Sequence, residues 1–264
     1  MADFHLNERN VVELGSGPPM VFAHGFPLDH SMWDAQIEEF GKTHHVIAPD
    51  LRGFGESESV DVVSHMWHFA DEIALILEQG LNVQEPVTFC GLSMGGYIAL
   101  EFWKRHPDKV KTLILCDTKA AADSDDAKHT REENAQRVMR EGPGFLADAM
   151  PEKLFSKKTL RENPEVVEQT QAVMRATSPI GIASALRGMA TREDFTDHLA
   201  QISVPTLLIC GEDDIITPVT EMQSMANRIP NSRLAVIPGA GHMAPLEQPE
   251  AVNQVIREFL GAEK

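Results

Sequence analysis

Three features of this sequence predict a doubly wound α/β sheet. Short apolar or β-branched runs recur with turn residues on both sides: NVVEL (10–14), MVFAHG (20–25), HVIAPD (45–50), VTFCG (87–91), TLILCD (112–117), TLLICG (206–211) and LAVIPG (234–239). Most lack polar alternation, as strands of a parallel sheet covered on both faces do. Segments of helical periodicity separate them, and strands that alternate with helices wind into a mostly parallel sheet. The third feature is size: 264 residues with 42% hydrophobic content can bury one large core.

In chain order, helices are expected at 31–40, 64–79, 94–105, 218–229 and 249–260. Pro218 and Pro249 fall in a first helical turn, where the missing N–H does no harm. The alternation stops across 119–192, where helices are expected without strands. Ser124 caps one that ends before Gly142 and Pro143; Asn163 and Pro164 open a second, and Pro179 a third. The expected division is therefore a core of residues 1–118 and 193–264 with a helical insertion at 119–192. Nearly all the excess acid lies in the core, because charges in the insertion almost balance.

The net charge of −17 excludes nucleic acid and anionic membrane as expected partners, since phosphate binding needs clustered Lys and Arg. Cys90, Cys116 and Cys210 each close an apolar run; they read as buried strand-end thiols, and no spacing suits a metal site or a disulfide framework. MADFHLNERN lacks the apolar run of a secretory leader, and no stretch has 18 consecutive apolar residues. A soluble cytoplasmic protein, monomer or homodimer, is the expectation.

The run FCGLSMGGYIAL (89–100) turns from strand to helix around one serine. GLSMG fits the G-x-S-x-G elbow, in which a hydroxyl stands at the tip of a strained turn that side chains at Gly91 and Gly95 would obstruct. At a helix N-terminus, Ser93 meets a dipole and free N–H groups that favour developing negative charge. Such a hydroxyl needs a base, and the base needs an orienting carboxylate. His242 lies in a Gly-rich loop after the last strand, and Asp213 and Asp214 end the strand before it. All three loops open on the carboxyl edge of the sheet. Two N–H donors for an oxyanion are expected from Met94, which follows the serine, and from Phe26 in HGFP. His24 in that loop reads as a structural residue that orients the turn.

Together HGFPLDHSMW, APDLRGFGES, GLSMGG, CGEDDIITP and GAGHMAPLEQPE resemble the α/β-hydrolase superfamily, in its esterase and 3-oxoadipate enol-lactonase-like branch. The resemblance covers about residues 12–260 and implies an α/β-hydrolase fold with the insertion as a cap. It implies Ser93 as nucleophile, Asp214 as the acid in preference to Asp213, and His242 as base. Phe26 and Met94 match the oxyanion donors. Asp117, after TLILC, is a second-line acid, because some relatives recruit theirs there. Enol-lactonases of this branch tend to carry Asn-Ser-Leu-Gly where this chain has HGFP, a departure that bears on substrate. Relatives that are dehalogenases or epoxide hydrolases use an aspartate nucleophile, which Ser93 disfavours.

The expected activity is cofactor-free and metal-free hydrolysis of small carboxylic esters by a serine carboxylesterase. A lactonase, perhydrolase or C–C bond hydrolase shares the same triad, and a silent ligand-binding scaffold is the non-enzymatic alternative. A lactonase for a carboxylated substrate would need an inward cation such as Lys153, Arg161, Arg175 or Arg187. Arg52 is expected to donate to neighbouring carbonyls, and His44 and His45, on opposite faces of a strand, cannot share a metal. Phe26, Trp33, Trp67, Phe145, Leu146, Met150, Leu154 and Phe155 either line an acyl pocket or pack the cap on the core.

Overall fold

The computed structural model describes residues 10–262. The stretch MADFHLNERN, on which the expectation of no secretory leader rests, lies outside them apart from Asn10. Seven strands form one sheet: β1 (Val11–Leu14), β2 (Pro19–Ala23), β3 (His45–Pro49), β4 (Val87–Leu92), β5 (Val110–Cys116), β6 (Thr206–Gly211) and β7 (Ser232–Ile237). Their spatial order is β1-β3-β2-β4-β5-β6-β7, with β1 antiparallel to β3 and every other pairing parallel. The sequence pattern predicts the strands but not the reversal of β1, an edge strand whose short run carries no directional signal.

Side chains alternate across a strand, so one sheet feeds two cores. Val21, Phe89, Leu113, Leu115 and Leu208 enter one. Met20, Phe22, Cys90, Ile114, Leu207 and Ile209 enter the other. Helices α2 (Met66–Leu75), α3 (Met94–Arg105) and α10 (Val219–Arg228) cover the first face; α1 (Asp34–Phe40) and α12 (Pro249–Ala262) cover the second. Covering both faces explains why the central strands read as unbroken apolar runs.

Helix ends differ in detail from expectation. The 31–40 segment opens as a 3-10 turn at His30–Trp33, where the Asp29 carboxylate accepts the Ser31 N–H. The 64–79 segment ends in a π-helical turn, Ile76–Gly80. Pro218 caps α10 from outside the helix, whereas Pro249 is the first residue of α12.

Six helices lie between β5 and β6: α4 (Asp125–Glu141), α5 (Gly144–Ala149), α6 (Pro151–Leu154), α7 (Lys157–Glu162), α8 (Pro164–Ala176) and α9 (Pro179–Ala190). Ser124 caps α4, and Ser178 caps α9 ahead of Pro179. At the two ends of this segment Asp123 and Arg192 form a buried ion pair of 2.8 Å, joined by Arg131 and Lys119. Burial alone would raise the Asp123 carboxyl, but the two guanidiniums hold it down at about 2. Helix α9 lies on the 51–66 segment, where the Ser184 hydroxyl bonds Val62 O and Ser64 Oγ and accepts the Ser64 N–H. At the junction of α8 and α9, the Thr177 hydroxyl reaches Pro27 O at 3.1 Å. Among the described residues, no helix is long and apolar enough to cross a membrane.

Candidate active site

The turn from β4 to α3 leaves one position different from its surroundings. From Val87 to Phe102 every residue is buried except Ser93. Ser93 has φ 54° and ψ −110°, a backbone conformation that costs about 1–3 kcal/mol for a residue with a side chain. Contacts on all sides hold it there. Ser93 N–H donates to Cys116 O at 2.9 Å, and Ser93 O accepts the Thr118 hydroxyl at 2.8 Å and the Gly96 N–H at 2.9 Å. A Cβ on Gly95 would overlap the Ala23 carbonyl oxygen, and one on Gly91 the Gly95 carbonyl oxygen. The elbow forms because α3 lies directly on the backbone of β2 and β4.

The loop after β2 packs on that turn. A Cβ at Gly25 would lie 3.7 Å from the Ser93 Cβ. The Gly25 N–H meets the Met32 sulfur at 3.3 Å. His24 is fully buried; its Nε2 accepts the Leu51 N–H at 3.0 Å, which leaves Nδ1–H to donate to Gly25 O at 3.0 Å. Burial pushes the His24 imidazole below its ordinary pKa, so the neutral tautomer fits both bonds. His24 thereby ties the Gly25–Phe26 turn to the loop after β3. His30 and Asp50 add a second tie, Nδ1 to Oδ1 at 2.7 Å. Burial lowers the His30 pKa, yet the Asp50 contact outweighs it and the net shift is upward. Neither the Phe26 nor the Met94 N–H has a hydrogen-bond acceptor among the described residues.

Asp214 and His242 are brought together from the ends of β6 and β7: His242 Nδ1 lies 2.8 Å from Asp214 Oδ2, both residues being buried. Asp213 is exposed, so Asp214 is the member of the pair that reaches the imidazole. Asp214 Oδ1 accepts the Ile216 and Thr217 N–H groups at 2.7 and 3.0 Å, and Oδ2 the Thr217 hydroxyl at 2.6 Å. Burial raises the Asp214 carboxyl, but the His242 and Thr217 contacts prevail and hold it below the usual carboxylate range. An ionised Asp214 fixes the proton on Nδ1 and leaves Nε2 as a lone pair.

Asp117 follows β5, the strand whose Cys116 carbonyl receives the Ser93 N–H. Its carboxyl, the Cys210 thiol and the Asp214 carboxyl have ligating atoms within 4.8 Å of one another. Asp117 is fully buried: Oδ1 accepts the Gly211 N–H at 2.7 Å, while Oδ2 has no hydrogen-bond partner among the described residues. Burial and then the Asp214 charge push its pKa well above the usual range. Adjacent strand ends therefore carry Ser93, Asp117 and the Asp214–His242 pair.

Other residues fall elsewhere. Arg52 pairs with Glu72 at 3.3 Å, a carboxylate in place of the expected carbonyls. His45 bonds Glu13, and His44 bonds Thr43. Trp33 is buried in the core against Phe22, and Trp67 lies at the surface between His65 and Arg105; neither is placed with Ser93. The three cysteines are buried free thiols, Cys90 two residues short of its strand end. Sequence reasoning missed the Thr118 contact to Ser93 and the Thr217 contacts to Asp214. A threonine in a loop after a strand carries no signal that it will bond a particular neighbour.

A family model described as the alpha/beta hydrolase fold matches residues 18–249. The chain is similar to the structure of a thermophilic esterase from Thermogutta terrifontis, with 46% identity, 96% of this chain and 92% of that one covered, and a TM-score of 0.93. Similarity to the enol-lactonase structure from Burkholderia xenovorans is lower, 27% identity over 95% of each chain with a TM-score of 0.88. The 3-oxoadipate enol-lactonase 1 of Acinetobacter baylyi is 29% identical over 93% of this chain and 89% of its own length. The chain belongs to the alpha/beta hydrolase fold family, in the branch that holds esterases and enol-lactonases, and it is a hydrolase.

Proposed function

We propose that this chain hydrolyses small, uncharged carboxylic esters through an acyl-enzyme on Ser93. The observation that carries the reading is a partly exposed serine in an otherwise buried run, strained into a left-handed φ, beside two backbone donors with no acceptor among the described residues. In this mechanism His242 Nε2 takes the Ser93 proton as Oγ attacks the ester carbonyl. The Phe26 and Met94 N–H groups receive the oxyanion, and Asp214 stabilises the imidazolium that forms. His242 returns the proton to the leaving alcohol, then activates water to release the acid. The 119–192 segment is the cap over this site.

Charge supports an uncharged substrate. Lys153, Arg161 and Arg175 are exposed, the two arginines beside Glu162 and Asp148, and Arg187 is engaged by Glu132 through two hydrogen bonds. Three of these four are exposed to solvent and the fourth is paired, which supports a substrate without the carboxylates of an enol-lactone of the 3-oxoadipate type. The likeness to an esterase at 46% identity supports ester hydrolysis over lactone hydrolysis.

The test is intact mass after treatment with a fluorophosphonate, alongside turnover of short-chain neutral esters and of a carboxylated lactone. Wild type should take one adduct and prefer the neutral esters; Ser93→Ala should take none and lose at least about 10⁴-fold in kcat/KM. Ester turnover by Ser93→Ala at the wild-type rate would refute the assignment.

A further inference from the structure

The loop that carries His242 is bonded on both sides of the histidine by groups from outside the loop. Gly241 N–H donates to Glu247 Oε1 at 2.8 Å, and Met243 N–H donates to Leu154 O at 3.2 Å. Glu247 belongs to the short helix α11 (Ala244–Glu247), from which its side chain turns back toward the loop. Its other oxygen faces the cap: Oε2 accepts the Ser156 N–H at 2.8 Å and the Thr159 hydroxyl at 2.6 Å. Glu247 is 8% exposed. One buried carboxylate thus spends one oxygen on the N–H of Gly241, the residue before His242, and the other on the N-terminal turn of α7.

The backbones themselves touch at this point. A Cβ on Gly241 would lie 2.8 Å from Ser156 N and 2.9 Å from Leu154 O, so the histidine loop and residues 154–156 are in contact. Ser156 Oγ adds a bond to Gly239 O at 2.9 Å. Bonds to an ionised acceptor are roughly twice as strong as neutral ones, and all three donors to Glu247 are buried. Removing the carboxylate would leave those donors unsatisfied.

We propose that Glu247 is a positioning residue for His242: it makes docking of the 154–159 segment a condition for holding the imidazole between Asp214 and Ser93. The proposal rests on His242 being the base. An undocked segment frees the Met243 N–H from Leu154 O and takes from Glu247 the Ser156 and Thr159 donors that fix the carboxylate on the Gly241 N–H; misplacing a reacting group by 1 Å costs on the order of 10²-fold in rate. The loss falls on kcat, because the ester is bound elsewhere.

The experiment measures kcat and KM with a neutral short-chain ester for wild type, Glu247→Gln, Thr159→Val and the double variant, with thermal melts and circular dichroism on each. Glutamine keeps the shape but sets an NH₂ group against N–H donors. The expected result is a fall in kcat of about 10²-fold for Glu247→Gln with KM within about threefold. Thr159→Val, which deletes one donor on the cap, should lower kcat about threefold to tenfold. The double variant should be no slower than Glu247→Gln, since both losses pass through one carboxylate. A folded Glu247→Gln with wild-type kcat overturns the proposal. If Glu247→Gln does not fold, wild-type kcat in Thr159→Val overturns it instead, and so do losses that simply multiply in a double variant that folds. Fluorophosphonate labelling separates this from failure of the parent reading. An unlabelled wild type removes the base and Glu247's role together, while a labelled wild type with an active Glu247→Gln removes only the latter.

Discussion

Ser93 and His242 stand at the ends of strands in the same sheet, yet they are held by different physics. The serine is held through its backbone, chiefly by shape: α3 lies on β2 and β4 with glycine at each crossing, backbone bonds to Cys116 and from Thr118 lock the turn, and its side chain makes no capping bond. The histidine is held chiefly by polar side-chain contacts, from Asp214 on its ring and from Glu247 on the Gly241 N–H, with Leu154 O on the Met243 N–H. Shape tolerates changes in charge but no added atom; polar positioning tolerates modest changes in volume but no lost acceptor. In the proposed mechanism a proton travels between two groups whose positions are set by different rules.

The largest expected effect attacks the polar side. Asp214→Asn should keep the fold and lower kcat by about 10⁴-fold, because a carboxamide can donate to Nδ1 and stabilise the wrong tautomer. Kinetics on neutral esters check this, and a loss of less than about tenfold would remove Asp214 from its role. The steric side breaks differently. Gly95→Ala drives a methyl group into the Ala23 carbonyl of a buried strand, and backbone there has no room to shift. A stability loss of about 3 kcal/mol is expected from urea unfolding. Unchanged stability would mean that the elbow is not fixed by that contact.

The smallest effect sharpens the comparison between Asp214 and its neighbour Asp117. Asp214 titrates below the unfolded value, so it contributes stability at neutral pH that is lost as pH falls through its folded pKa. Asp117 titrates above the unfolded value of about 3.9. The unfolded chain therefore ionises first, and Asp117 costs stability progressively as pH rises from there toward its folded pKa. Asparagine cannot ionise and keeps the acceptor for Gly211 N–H. Asp117→Asn should raise the melting temperature by about 3 °C near pH 8, with the gain shrinking near pH 4. A gain that is equal at both pH values would show that charge is not its source.

Legibility in the sequence followed the same division. Strands buried on both faces announce themselves as apolar runs, and Gly91 and Gly95 around Ser93 are visible because steric demands leave few residue choices. Asp214 and His242 could be placed at strand ends by spacing. Their supporting atoms could not: Glu247 in PLEQPE reads like any solvated acid, and Thr118, Thr177 and Thr217 look like ordinary loop residues. Helices α5, α6 and α7 escaped notice because four to six residues are too few to show a helical period, and Pro151 interrupts the run. The direction of β1 escaped because pairing sense depends on the neighbour and leaves no mark within the strand.

The segment between β5 and β6 shares both apolar clusters with the sheet, its two ends are joined by the Asp123–Arg192 pair, and a few polar anchors add to that packing: Ser184 on the 51–66 segment, Thr177 on the loop after β2, and Ser156 with Thr159 on Glu247. For a lineage or a designer this is a rule of exchange. Exposed stretches between the anchors can be rewritten while the buried contacts stay. A segment transplanted here from another scaffold must bring equivalents of Thr177, Ser156 and Thr159, or the recipient inherits a roof that no longer steadies the walls beneath it.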